Sequence, residues 1–107
     1  MKPLLLKAKD VQKTDKERDL SCVIPQKYNG ILVNYIEFEK ESRGIPHYHP
    51  DGYELVMLIK GKAWFKDQVL DKKGDMICFP SGCEHDGIFK RGTKIVVVRN
   101  SSNKVLI

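Results

Sequence analysis

His47 and His49 are separated by one residue, and in extended backbone residues i and i+2 point to the same face. Side by side, two imidazoles form a chelating pair. Glu54 follows the segment Pro50-Asp51-Gly52-Tyr53, which reads as a turn, so its carboxylate opens the next strand beside the histidines. His85 comes later, after the turn-forming run Pro80-Ser81-Gly82. These are the three histidines of the chain. Three imidazoles and one carboxylate make a coordination shell suited to a divalent first-row metal, with positions left open for water or substrate. A histidine met singly is more often an ordinary hydrogen-bonded side chain, but three with a glutamate at these spacings favour ligation. For Glu54 the competing role is an outer acceptor that orients an imidazole.

The segment Gly44-Ile-Pro-His47-Tyr-His49-Pro-Asp-Gly-Tyr-Glu54, followed by six residues and Gly61, resembles the first motif of the cupin superfamily. Gly74-Asp-Met-Ile-Cys-Phe-Pro80-Ser-Gly82-Cys-Glu-His85 resembles the second. The two motifs, at about 44–61 and 74–89, come in the family's order. Two positions depart from the family pattern: Glu41 stands where a glycine is usual, and Phe89 where an asparagine often follows the last histidine. Neither is a metal ligand in the family, so the departures bear on the rim and the substrate pocket rather than on the ion.

The resemblance implies a jelly-roll β-barrel with His47, His49, Glu54 and His85 as metal ligands. Imidazole and carboxylate donors suit most later first-row ions, and the resemblance makes Fe, Mn, Ni or Zn the expected metal without choosing among them. It also implies a small-molecule ligand or substrate. Oxygenase-type (dioxygenase-like) chemistry leads among enzymes, because an open-site ion binds substrate and O₂ together. Metal-assisted isomerase or lyase chemistry on a sugar acid is the competitor. A non-catalytic binding role is the third reading, since the first motif is also similar to the sugar-sensing domain of arabinose-type regulators. No stretch after Arg99 is long enough for the helix-turn-helix half of such a regulator.

Composition frames these readings. At 107 residues, 41% hydrophobic and 31% charged, the chain suits one soluble domain, residues 1–107, with a single core. No apolar run approaches a membrane span, and Leu4-Leu5-Leu6 is too short for a signal-peptide core. A cytoplasmic location and no membrane partner are therefore expected. A net charge of +5 raises the question of nucleic acid. The lysines, however, interleave with acids (Lys13, Asp15, Lys16, Glu17, Arg18, Asp19), and no one-signed stripe or recognition motif appears, so no nucleic-acid partner is expected. Cys22, Cys78 and Cys83 fit reduced thiols rather than a disulfide framework.

The elements that must carry the ligands are short strands between turn signals. Ile31 to Phe38 reads as a strand with large residues on both faces, and Glu54 to Lys60 as an apolar strand stopped by Gly61. Lys62 to Phe65 and Val69-Leu70 read as a hairpin. Met76 to Phe79 reads as a buried strand with Cys78 in the core, Ile95 to Val98 as a central strand, and Val105-Leu106-Ile107 as a last strand. Residues 1–20 mix apolar and charged residues without deciding between strand, loop and helical turn. The pattern is all-β, a sandwich or barrel. Apolar residues on both faces of two strands predict a homodimer, which light scattering after size exclusion checks. Tyr53, Trp64 and Cys83 are candidate pocket residues, each with a plainer role as core, interface or filler. Strand alternation turns Glu84 and Asp86 away from the side that His85 faces.

Overall fold

A computed structural model describes residues 2–10, 12–13, 19–24, 30–44, 46–48, 52–100 and 104–105, without the side chains at 10, 12, 13, 47, 104 and 105. Its strands are β1 (Gln12–Lys13), β2 (Leu20–Val23), β3 (Leu32–Glu37), β4 (Ser42–Arg43), β5 (His47–Tyr48) and β6 (Glu54–Lys60). They continue with β7 (Ala63–Phe65), β8 (Gln68–Leu70), β9 (Met76–Phe79), β10 (Ile88–Phe89), β11 (Lys94–Arg99) and β12 (Lys104–Val105). A 3₁₀ turn, Ala8–Asp10, precedes β1. No helix among the described residues is long and apolar enough to cross a membrane.

One sheet has the order β1-β2-β3-β11-β6-β9, a second the order β4-β10-β7-β8, and β12 pairs with β5. All pairings are antiparallel. The β-branched run of β11 lies between β3 and β6, the interior position expected for it. In antiparallel register, residues directly opposite share a face. The ladder Ile36, Ile95, Leu58 therefore lies beside Asn34, Val97, Val56, Ile77 on the inner side of the sheet. Val56, Leu58, Ile95 and Val97 from this sheet and Ala63, Phe65, Leu70 and Phe89 from the other form the core with Phe79. Alternation in β6 buries Glu54, Val56 and Leu58 in turn, which places a carboxylate at the first inward position of a core strand.

Two turns shape the chain around β7. Gly61 has φ +96°, and a Cβ there would fall 2.4 Å from Thr93 Oγ1 and 2.6 Å from Thr93 Cα. Only glycine fits both the backbone conformation and the close approach. Thr93 is fully buried; its hydroxyl donates to Lys62 O at 3.0 Å and accepts from Lys62 N–H at 3.1 Å. The β7–β8 hairpin turns on two residues, with Lys66 at φ 56°; Gln68, read from the sequence as loop, already belongs to β8.

The reading of Met76 to Phe79 needs correction. β9 is the outer edge of its sheet, so only Ile77 and Phe79, opposite Val56 and Glu54, face inward. Met76 is 57% exposed, and Cys78 is an exposed free thiol rather than a core residue. An antiparallel sheet packed through one face leaves alternate residues of each strand outside, which a continuous apolar run does not disclose.

Candidate functional site

Glu54 is the first residue of β6, and its cross-strand neighbours are Phe79 on β9 and Arg99 on β11. His85 arrives on irregular backbone after the Pro80 turn, which Gly82 at φ 77° and the Cys83 N–H to Pro80 O bond of 3.0 Å close. The β4–β10 pairing and a Gly44 N–H to Gly87 O bond of 2.8 Å join the two motif segments. That bond ties the backbone three residues before His47 to the backbone two residues after His85.

The His85 ring is fixed on three sides. Phe79 stacks on it with centroids 3.9 Å apart and planes 10° from parallel. Nδ1 lies 3.2 Å from Cys83 O, and Nε2 meets Glu54 Oε2 directly. Both residues are buried, at 4% and 7% exposure. A carbonyl oxygen only accepts, so the Cys83 contact requires the proton on Nδ1. The lone pair of Nε2 then points at a carboxylate oxygen. As it stands the contact is a hydrogen bond that shares a proton, and its two donor atoms, an imidazole nitrogen and a carboxylate oxygen, are of the types that ligate first-row metals. This donor pair fits a metal.

Arg99 was not singled out from the sequence, although it continues the inward alternation of Ile95 and Val97. Burial pushes its guanidinium pKa down, and the Glu54 carboxylate opposite acts to raise it. A half-buried cation thus faces the buried carboxylate from the neighbouring strand.

The backbone of His47 is in β5, opposite Val105 of β12; its side chain and the whole of His49 lie outside the described residues. Among the described residues alone, no group of three or more His, Cys, Asp or Glu side chains could hold an ion. His85 stands between two cavities. One, of about 220 Å³, is lined by Lys66, Cys78, Cys83, Glu84, His85 and Asp86 among others. The other, of about 210 Å³, lies between the sheets and includes Glu54, His85 and Asp86.

The candidate pocket residues separate. Cys83 packs against the core and lines the cavity at His85. Trp64 does not: Ala63 and Phe65 take the inward positions of β7, and Trp64 lies on the opposite face with Lys62 Nζ 5.2 Å from its ring centroid. Tyr53 is exposed, its N–H bonded to Asn100 Oδ1 at 3.1 Å, and lines neither cavity. Residues 83–87 hold only a single bridge at His85 instead of a strand, and Glu84 is exposed, Asp86 half-buried, on either side of the buried His85. Glu84 and Asp86 both line the first of these cavities, and Asp86 lines both.

Comparison with known proteins bears on the fold. No protein-family model matches the chain. A cupin-2 domain protein from Shewanella frigidimarina is similar over 73% of this chain and 76% of its own, with 26% identity and a TM-score of 0.54. A Klebsiella pneumoniae protein with a double-stranded β-helix domain matches over 99% of both chains, with 17% identity and a TM-score of 0.64. The chain belongs to the cupin superfamily. Oxalate oxidase in complex with the substrate analogue glycolate is a further cupin neighbour, with 22% identity and a TM-score of 0.56 over 71% of this chain and 46% of that one. Among curated proteins, 63 residues, 59% of this cupin, are 32% identical to part of the probable cytoplasmic arginine–tRNA ligase of Caenorhabditis elegans. The match spans 9% of the ligase.

Proposed function

We propose that this cupin binds one divalent transition metal through His47, His49, Glu54 and His85 and acts on a small organic molecule held beside it. The observation that carries the reading is the buried meeting of His85 Nε2 with Glu54 Oε2, from positions 31 residues apart. With the proton on Nδ1, toward Cys83 O, the Nε2 lone pair is directed to the same side as the Glu54 carboxylate. Phe79 fixes the ring plane and Arg99 sets a positive charge opposite Glu54. His47 and His49 enter through the motif; the Gly44–Gly87 bond joins the backbone that leads into His47 to the backbone that follows His85.

Fe, Mn, Ni or Zn each suit this donor set. Such an ion supplies Lewis acidity and, where redox-active, a meeting place for substrate and dioxygen. Oxygenase-type chemistry is the enzymatic reading favoured here. A neighbour that binds glycolate supports a small-molecule ligand of carboxylate type. The half-buried outer-face side chains of β3, β6 and β11, among them Val33, Leu55, Met57, Val96 and Val98, offer a seat for the second copy of a homodimer.

Elemental analysis of protein purified without chelator tests the metal. Close to one equivalent of ion is expected, with a loss of at least about tenfold in the His47→Ala, His49→Ala double variant. Equal metal content in the two proteins would overturn the ligand assignment.

A further inference from the structure

The cavity that Glu54 and His85 share has an unusual wall for a site expected to hold a polar metabolite. Its side chains come from both sheets: Val56, Ile95 and Val97 from one, Phe65 and Phe89 from the other, with Phe38 just beyond β3. Among the described residues, its ionisable members are Glu54, His85 and Asp86. The aromatic rings pack on one another. Phe38 stacks on Phe89 at 4.3 Å and 6°, and Phe65 meets the Phe89 edge at 5.7 Å and 83°. Gly87 lets these rings close, since a Cβ there would lie 2.7 Å from Phe65 and 2.8 Å from Phe89.

We infer that the ligand is a small molecule with an apolar body, a single ring or a short branched chain, joined to one chelating head. The body lies against Phe38, Val56, Phe65, Phe89, Ile95 and Val97, and the head meets Glu54 and His85. This inference rests on the proposed metal site for the head and on the cavity alone for the body. Size agrees: an apolar cavity of about 150 Å³ accepts benzene, and this one is about 210 Å³. Chemistry agrees as well. A sugar hydroxyl lodged among these side chains gives up its water partners and meets no replacement, which weakens binding by about tenfold or more for each such group. An apolar carbon in the same place gains affinity by leaving water. The cavity thus selects against sugar acids, one of the two enzyme substrate classes expected from the sequence.

Three probes share one 2-hydroxycarboxylate head and differ only in the body: glycolate, mandelate and gluconate. Isothermal titration calorimetry on zinc-loaded protein should find mandelate bound at least about tenfold more tightly than glycolate, equivalent to about 1.4 kcal/mol. Gluconate should bind no more tightly than glycolate. Val97→Phe, which fills the cavity, should reduce the mandelate advantage to about twofold or less while leaving the zinc content unchanged; Val56→Leu serves if that variant does not fold. Equal affinity for mandelate and glycolate, a preference for gluconate, no binding of any probe, or an advantage that survives filling would each overturn the inference. A metal-independent arm separates it from the metal reading. In metal-free protein, benzyl alcohol but not glycerol should shift the Val56 and Val97 methyl resonances. Shifts without zinc uptake would refute the metal site and leave the apolar cavity standing; no shifts with benzyl alcohol would overturn the cavity.

Discussion

Glu54→Gln is the most informative single substitution, because it keeps the shape of a buried side chain and removes the charge that a metal requires. A ligand that binds only the folded state stabilises it by RT ln(1 + [L]/Kd), about 2.7 kcal/mol at a hundred times Kd. For a domain of this size about 1 kcal/mol moves the melting temperature by roughly 5 °C. Saturating zinc or manganese should therefore raise the melting temperature of the unaltered protein by about 13 °C. Loss even of an outer partner of a metal ligand weakens affinity by about 10- to 100-fold, and loss of a direct anionic donor belongs at the upper end. At the same ion concentration a hundredfold loss leaves [L]/Kd near unity, so about 0.4 kcal/mol and a rise of only ~2 °C remain. The assay is thermal unfolding of each protein with the ion and after chelation. Comparing each protein with itself cancels any effect of the substitution on the metal-free fold, including the altered environment of Arg99. A Glu54→Gln protein that still gains about 13 °C from metal would refute the role of Glu54 as ligand and the reasoning from its contact with His85.

Two further outcomes test the frame around the site. Gly61→Ala should cost about 3 kcal/mol or more, a fall of roughly 15 °C in melting temperature by circular dichroism, because it combines the +96° φ with a Cβ 2.4 Å from Thr93 Oγ1; a melt within a few degrees of the original would contradict the packing at Thr93. Tyr35 donates to Glu37 Oε1 at 2.6 Å, and this bond, with burial and the charges of Glu37 and Asp19, pushes its pKa up to about 12 from 10.0. Between those values the unfolded chain has released the phenol proton and the folded chain keeps it, so stability falls as pH rises through that window. Urea midpoints at pH 9 and pH 11.5 should diverge more in the unaltered protein than in Tyr35→Phe, and equal changes would remove the Tyr35–Glu37 bond as the cause.

Much of the framework was legible in the residues. β-Branched runs and turn signals placed β3, β6, β7 and β11 close to their observed bounds, because each strand carries its own period and its own stop. The six-residue gap between Glu54 and Gly61 also had a physical meaning, since Gly61 stands where the close approach of Thr93 excludes any Cβ. The candidate ligands Glu54 and His85 came from spacing, and the structure sets them in contact. His47 and His49 rest on the motif.

What the tertiary structure alone decided is which face of each strand has cover and which distant residues become neighbours. Cys78 looked internal within an apolar run, yet it shares the outer face of the sheet with Leu55 while Ile77 and Phe79 face inward. Trp64 was open between pocket and core or interface, and one step of alternation sets it on the face opposite Ala63 and Phe65. Asp86 borders both cavities at His85, a placement that strand alternation alone did not supply. Arg99 gained its place opposite Glu54 through the pairing of β11 with β6, a register that neither strand encodes alone. Local pattern determines a strand and its period; the contents of a site depend on strand order and register, which arise only when the two sheets close on a common core.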